Sequence, residues 1–320
     1  MKAKISRLRI LLTASALTIV FSLPNSALAV EGALGRPISG AAIAPFAGVI
    51  PPEPGFAVAI GEAYYPGSIG GSVPIGNFTL SLGIEMVASF TPLAVFYIWP
   101  TECKHWNFAS TVSLPLAYVE VEATVTLGRL NRKETDSNFG LFDLVVTPII
   151  ASYHISKTDH VAFSFTFWAP TGDYDPNRLA TLSLNNWTFI PGLAYTKLFP
   201  KLDIELTSIW QLQFYTENPA TRYQNGILSD FEVLGIKRFK NGFGIGAIFG
   251  WIDQITDDTG AGGDRLNGFR GRAFGIGPIV TYSTKVGKSH LDFSARYIPE
   301  FENQRRVQGN NFQFSASLKF

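Results

Sequence analysis

The chain has 320 residues, of which 46% are hydrophobic and only 16% charged, with 26 Phe, 11 Tyr and 6 Trp. Soluble domains usually carry about 25% charged residues, and a formal net charge of +1 gives no basis for nucleic-acid binding. Beyond residue 30 there is no run of about 20 apolar residues, which excludes a helical span; one cysteine, Cys103, excludes an intramolecular disulfide and any Cys-x-x-Cys metal motif.

Residues 1–29 read as a secretory signal. Lys2, Lys4, Arg7 and Arg9 precede an apolar stretch at 10–23, and Ala27-Leu28-Ala29 supplies a small-x-small cleavage site. The mature chain is expected to start at Val30. Residues 30–55 hold Pro37, Pro45, Pro51, Pro52 and Pro54 and carry only Glu31, Arg36 and Glu53 as charges. Proline removes ladder donors, so this is no membrane strand. It is expected to be an N-terminal plug folded into a lumen, with a periplasmic lead-in as the alternative.

Residues 56–320 carry twelve candidate strands: 56–65, 77–98, 106–124, 140–153, 160–168, 187–198, 202–216, 230–239, 243–255, 272–284, 290–298 and 311–320. Several alternate with period two, the pattern of a strand with one apolar and one polar face. Val161, Phe163, Phe165 and Phe167 oppose Ala162, Ser164 and Thr166. Phe312, Phe314, Ala316, Leu318 and the terminal Phe320 oppose Gln313, Ser315, Ser317 and Lys319. Residues 77–98 exceed the roughly 9–11 that a tilted span needs. In 106–124 the apolar parity flips between Tyr118 and Val119, which points to a bulge. Splitting both would give fourteen strands.

The connections alternate long and short. The long ones are 66–76, 125–139, 169–186, 217–229, 256–271 and 299–310; the short ones are 99–105, 154–159, 199–201, 240–242 and 285–289. Outer-membrane barrels place short turns in the periplasm and long loops outside. Aromatic belts are expected at Trp99, Trp106, Phe199, Phe239 and Tyr282 near the short turns, and at Tyr64, Trp168, Trp187, Tyr215 and Trp251 toward the long loops. The predicted fold is therefore all-β: one antiparallel transmembrane β-barrel of outer-membrane type, in the bacterial outer membrane with both termini periplasmic. Its expected partners are outer-membrane lipid and lipopolysaccharide, and the assembly machinery that reads a terminal Phe strand.

The most distinctive text is the loop from Pro170 to Ala180, with Thr171, Gly172, Tyr174, Asp175, Asn177 and Arg178. With Pro51-Pro52-Glu53-Pro54-Gly55, Thr216-Glu217-Asn218, Thr256-Asp257-Asp258 and Gly268-Phe269-Arg270-Gly271-Arg272 leading to Gly277-Pro278, it resembles the phenol meta-pathway degradation family of outer-membrane proteins, in the same order over most of the mature chain. The departure is Glu53 within the usual Pro-Pro-Pro-Gly, together with loss of the Gly- and Asn-rich start. The resemblance implies passive uptake of a small hydrophobic or aromatic substrate linked to its degradation, with no cofactor, and it carries no established functional residues.

Two other functions are weighed from the residues. A barrel hydrolase needs a histidine at the loop rim beside a Ser or carboxylate, yet His105, His154, His160 and His290 all sit at short turns. Asp257, Asp258 and Asp264 match no calcium-loop spacing and read as solvated loop charges. A structural or adhesive barrel with a closed lumen is the other alternative. The polar parity assigns Glu85, Glu120, Glu122, Asp203, Glu205, Asp292 and Arg296 to the lumen, since charges facing lipid are costly.

Overall fold

The computed structural model describes residues 36–75, 78–127, 130–265, 268–287 and 289–320; the expected signal 1–29 lies outside them. The strands are β1 (Gly55–Ile75), β2 (Phe78–Ile98), β3 (Trp106–Leu127), β4 (Leu130–Leu141), β5 (Leu144–His154), β6 (Asp159–Ala169), β7 (Thr188–Phe199), β8 (Ile204–Tyr215), β9 (Leu228–Arg238), β10 (Phe243–Gln254), β11 (Arg272–Val286), β12 (Ser289–Gln304) and β13 (Gln308–Lys319). A six-residue helix α1 (Gly260–Arg265) lies between β10 and β11. Among the described residues no helix is long and apolar enough to cross a membrane.

All pairings are antiparallel, and β13 returns to β1, from Ala57↔Lys319 to Ser68↔Gln308. Closure removes both sheet edges, which a wall in lipid requires. β3 is shared: Trp106–Ser113 pairs with β5, while Leu116–Leu127 pairs with β4. Twelve strands thus form the closed wall, and β4 is an additional strand beyond it. β4 takes up most of the expected loop 125–139 and the first two residues of the expected strand 140–153, and the expected loops 66–76 and 299–310 are largely strand as well. The hydrophobic period failed to mark them because β4 is polar and solvent-exposed over most of its length. Its order comes from backbone pairing in a hairpin, with no apolar stripe to bury.

The parity flip at Tyr118 and Val119 is not a bulge. β2 and β3 keep one continuous register from Leu80↔Leu127 to Ile98↔Ala109. Val112 and Leu114 are exposed on the outer face, whereas Ala117, Val119 and Val121 are buried on the inner one. The strand runs straight while its surroundings change. Low in the wall the outer face is apolar; higher up it is polar, and the inner face packs against chain inside the barrel.

Two rims follow. The turn end carries short connections together with Gly55 and Phe320; the loop end carries the long connections 170–187, 216–227 and 255–271, while β12 and β13 are joined there by the short 305–307. Between them Val58, Ile60, Leu93, Val95, Val112 and Leu114 are each 40–50% exposed on the outer wall, a band that lipid would cover. Trp99, Phe199 and Phe239 are exposed at the turn end, and Tyr64, Trp187 and Trp251 nearer the loop end. Trp168 and Tyr215, expected in the upper belt, instead point inward: Trp168 lines an internal cavity and Tyr215 is buried. At the terminus the Phe320 N–H donates to the Phe56 carbonyl at 3.0 Å, and the residue is 64% exposed.

Candidate functional site

Residues 36–50 cross the lumen from the loop end to the turn end. An irregular chain cannot satisfy its own backbone groups, so each polar group needs a partner. The inward faces of the wall supply them. The Ser39 N–H donates to Glu300 at 3.2 Å, Ile43 to Glu232 at 2.7 Å, Phe46 to Glu205 at 2.6 Å and Gly48 to the Thr196 hydroxyl at 3.0 Å. In return Arg306 donates to the Pro37 carbonyl at 2.6 Å, and Arg296 to those of Gly40 and Ile43 at 3.0 and 2.7 Å. Ser152 holds the Gly48 carbonyl at 2.8 Å and Asn107 the Ile50 carbonyl at 2.9 Å.

Small residues let the segment lie against the wall. A Cβ at Gly250 would stand 2.6 Å from the Gly40 nitrogen, and one at Gly275 2.7 Å from the Ser39 Cβ. Gly40 itself has φ of 71°, a left-handed conformation that glycine adopts without strain. Ile43 then packs with Ile209, Leu234, Ile236, Ile248, Ile279 and Ile298 in a buried cluster. At the loop end Arg36 is fully enclosed. Its guanidinium meets Asp143 at 2.9 Å, donates to Thr188 at 2.5 Å and lies 4.9 Å over the Trp168 ring.

A cavity of about 330 Å³ remains beside residues 36–42. Its walls are mostly apolar: Ile38, Met86, Phe90, Val119, Phe142, Val145, Trp168 and Ile190. Phe90, Phe142 and Trp168 form an edge-to-face chain, with centroids 5.1 and 5.7 Å apart. The polar lining comes from Arg36, Thr166, Thr181, Ser183, Gln211, Gln213, Asp230 and Gln313.

The Pro170–Ala180 loop closes the loop end. Arg178 grips Asp136 of β4 with contacts of 2.8 and 3.1 Å and holds the carboxyl below the usual carboxylate range. Gly172 N–H donates to Asp143, the same carboxylate that meets Arg36, and Thr171 accepts from Leu144 N–H. Asp175 caps its own turn through Asn177, and the Tyr174 hydroxyl accepts from Asn218. Leu182, which follows, is fully buried with Ile38 and Tyr65. The loop therefore ties β4, the inner segment and the wall together.

The expected lumen charges separate into three groups. Glu205 and Arg296 contact the inner segment. Asp203 and Asp292 are exposed at the turn end, Asp203 facing Lys237 at 3.5 Å. Glu85, Glu120 and Glu122 lie on the outer face, opposite buried Met86, Val119 and Val121; Glu122 is paired with Glu85 across the ladder and meets Lys133 at 2.6 Å. They stand where the outer face has turned polar, so assigning every charge to the lumen fails there.

Asp143, Asp230, Glu232, Glu300 and Arg306 are inward residues that the parity reading missed. Asp230 and Glu232 alternate with Phe231 and Val233, a usable signal; Glu300 and Arg306 were hidden in an expected loop. Asp258, read as solvated, is buried and accepts from Gly226 N–H and Gln254, both at 2.7 Å. Asp257 pairs with Arg270 at 2.6 Å. Both nitrogens of His154 meet protein groups, His160 at 2.6 Å and Asn107 at 2.7 Å.

The family described as "Putative MetA-pathway of phenol degradation" matches residues 70–316. The chain belongs to this family. No curated protein matches it. Among solved structures, the COG4313 outer membrane channel from Pseudomonas putida F1 superposes with a TM-score of 0.66 at 13% identity, covering 85% of this chain and 97% of the other. The beta domain of the Bordetella autotransporter BrkA gives 0.48 at 11% identity over 84% and 100%. At such identities the likeness to the Pseudomonas putida channel speaks for fold. Membership of the phenol-degradation family rests on the sequence match.

Proposed function

We propose that this chain is an outer-membrane channel for passive uptake of small hydrophobic or aromatic compounds, linked to their degradation, and that it is not an enzyme. The observation that carries the reading is the apolar, aromatic-lined cavity inside a closed twelve-strand wall. Barrels of about eight strands are filled by side chains and those of 16–18 leave an aqueous channel. A twelve-strand wall with an inner segment leaves a narrow, greasy path between those limits. Family membership supports the link to aromatic breakdown, and the Pseudomonas putida structure is itself called an outer membrane channel. We read residues 36–50 as a plug, because wall carboxylates and arginines bind its backbone groups.

The test is flux of toluene into liposomes bearing the purified chain. Entry faster than into empty liposomes is expected. Entry at the empty-liposome rate would leave the closed structural barrel as the reading.

Both termini belong on the periplasmic side in this reading, with β4 and the Pro170–Ala180 loop outside. Asn177→Cys should react with an impermeant maleimide on intact cells, while native Cys103, exposed at the turn end, should react only after the outer membrane is opened. The opposite pattern would invert the topology.

A further inference from the structure

Asp230 has no part in holding the inner segment. It is 1% exposed, it lines the cavity, and neither carboxylate oxygen has a hydrogen-bond partner. The charged groups acting on it are Glu232 and Arg306. Neither is hydrogen-bonded to it: Glu232 accepts from Ile43 N–H, and Arg306 donates to the Pro37 carbonyl. A buried polar group without a partner is costly, so an acceptor left open toward a cavity is matched to a donor that arrives from outside the chain. The rest of the cavity defines the body of that donor. Phe90, Phe142 and Trp168 face it with ring edges and faces, and about 330 Å³ is available. A cavity of about 150 Å³ already holds benzene, so one substituted ring fits with space to spare.

We propose that Asp230 is the recognition group of a binding site inside the lumen, and that its ligand is an apolar, ring-sized molecule bearing one hydrogen-bond donor, a hydroxyl or amino group. This assignment rests on the channel reading above and narrows its substrate class. The ring lies among Phe90, Phe142 and Trp168, and its donor points at the Asp230 carboxylate. A molecule of equal shape with no donor leaves that carboxylate unmatched. Discrimination of this kind is strong, because the penalty falls on the site whenever the wrong guest occupies it.

The test compares toluene, anisole and p-cresol by calorimetric titration of the full chain in lipid nanodiscs, with empty nanodiscs as blank. p-Cresol should bind about tenfold tighter than toluene or anisole, as expected for one added hydrogen bond to a buried oxygen acceptor. Asp230→Leu should erase the difference while toluene binding persists. Asp230→Asn preserves the shape and adds an amide donor, so it should raise affinity for anisole, whose oxygen only accepts; this variant keeps the test usable if the leucine form does not fold. Equal binding of the three compounds by the native chain, or a preference that survives both substitutions, would overturn the assignment. Toluene flux into liposomes is measured alongside. Flux without discrimination removes the Asp230 site and leaves the channel; no flux removes the channel reading, and the site with it.

Discussion

Removal of residues 37–50, with the flanking chain retained, should raise single-channel conductance in planar bilayers from background to discrete open steps. The segment is held by side chains that project from a wall whose own closure does not depend on it. β1 and β13 pair through their backbones from Ala57↔Lys319 onward, and every other wall strand is paired on both sides. Taking the segment away frees Glu205, Glu232 and Glu300 to meet water in a wider lumen. Carboxylates and the guanidinium of Arg296 suit a hydrated pore, so the barrel should still assemble. Gly250→Val is a gentler version of the same change. A side chain there would enter the space of the Gly40 nitrogen, 2.6 Å from the Cβ position, while the Gly250↔Gly275 and Gly250↔Glu232 backbone pairings remain possible. Conductance should rise in the same direction and by less. Unchanged conductance in both variants would sink the plug and return the segment to a packing role.

How far the sequence could carry this picture depended on where solvent lies. In β6 and β13 one face meets lipid and the other the lumen, so the period-two signal was clear and the strands were legible. β4 and the upper ends of β1 and β12 stand above the apolar band, and no contrast of surroundings writes itself into their residues. The same reason explains Glu85, Glu120 and Glu122. Their parity was read correctly as polar, but polarity marks the wet face of a strand, and above the apolar band the wet face is the outer one. Trp168 and Tyr215 mislead in the opposite sense: aromatic residues near a rim suggested a belt, yet both fill the interior against Arg36. The Pro170–Ala180 loop was visible as a motif. Its task was not, because Asp136, Asp143 and Asn218 come from three other parts of the chain.

Breaking the Arg36–Asp143 pair one partner at a time should be far more damaging than removing both. Side-chain exposure is 2% for Arg36 and 0% for Asp143. Asp143→Leu strands a guanidinium among Trp168, Thr188 and Asn186, where Thr188 and the Asn186 carbonyl can accept hydrogen bonds but carry no charge. Loss of one partner of a buried pair costs about 3–5 kcal/mol, whereas replacing both by apolar residues of similar volume is often near neutral. The cost here should fall locally. Asp143 also accepts from Gly172 N–H at 3.0 Å, so it joins the inner segment to the root of the Pro170–Ala180 loop. Opening of that corner involves no wall ladder and should precede any unfolding of the barrel. The expected result for Asp143→Leu is rapid proteolysis within 170–187 and frequent channel openings, with the heat-resistant barrel intact. Arg36→Met should act in the same direction. Arg36→Met with Asp143→Leu should restore slow proteolysis and quiet records, giving a large non-additive coupling in the double-mutant cycle. If the double variant is as open as the sum of the singles, the pair is not what latches the segment, and the hold must lie lower down, at Glu232 and Glu300.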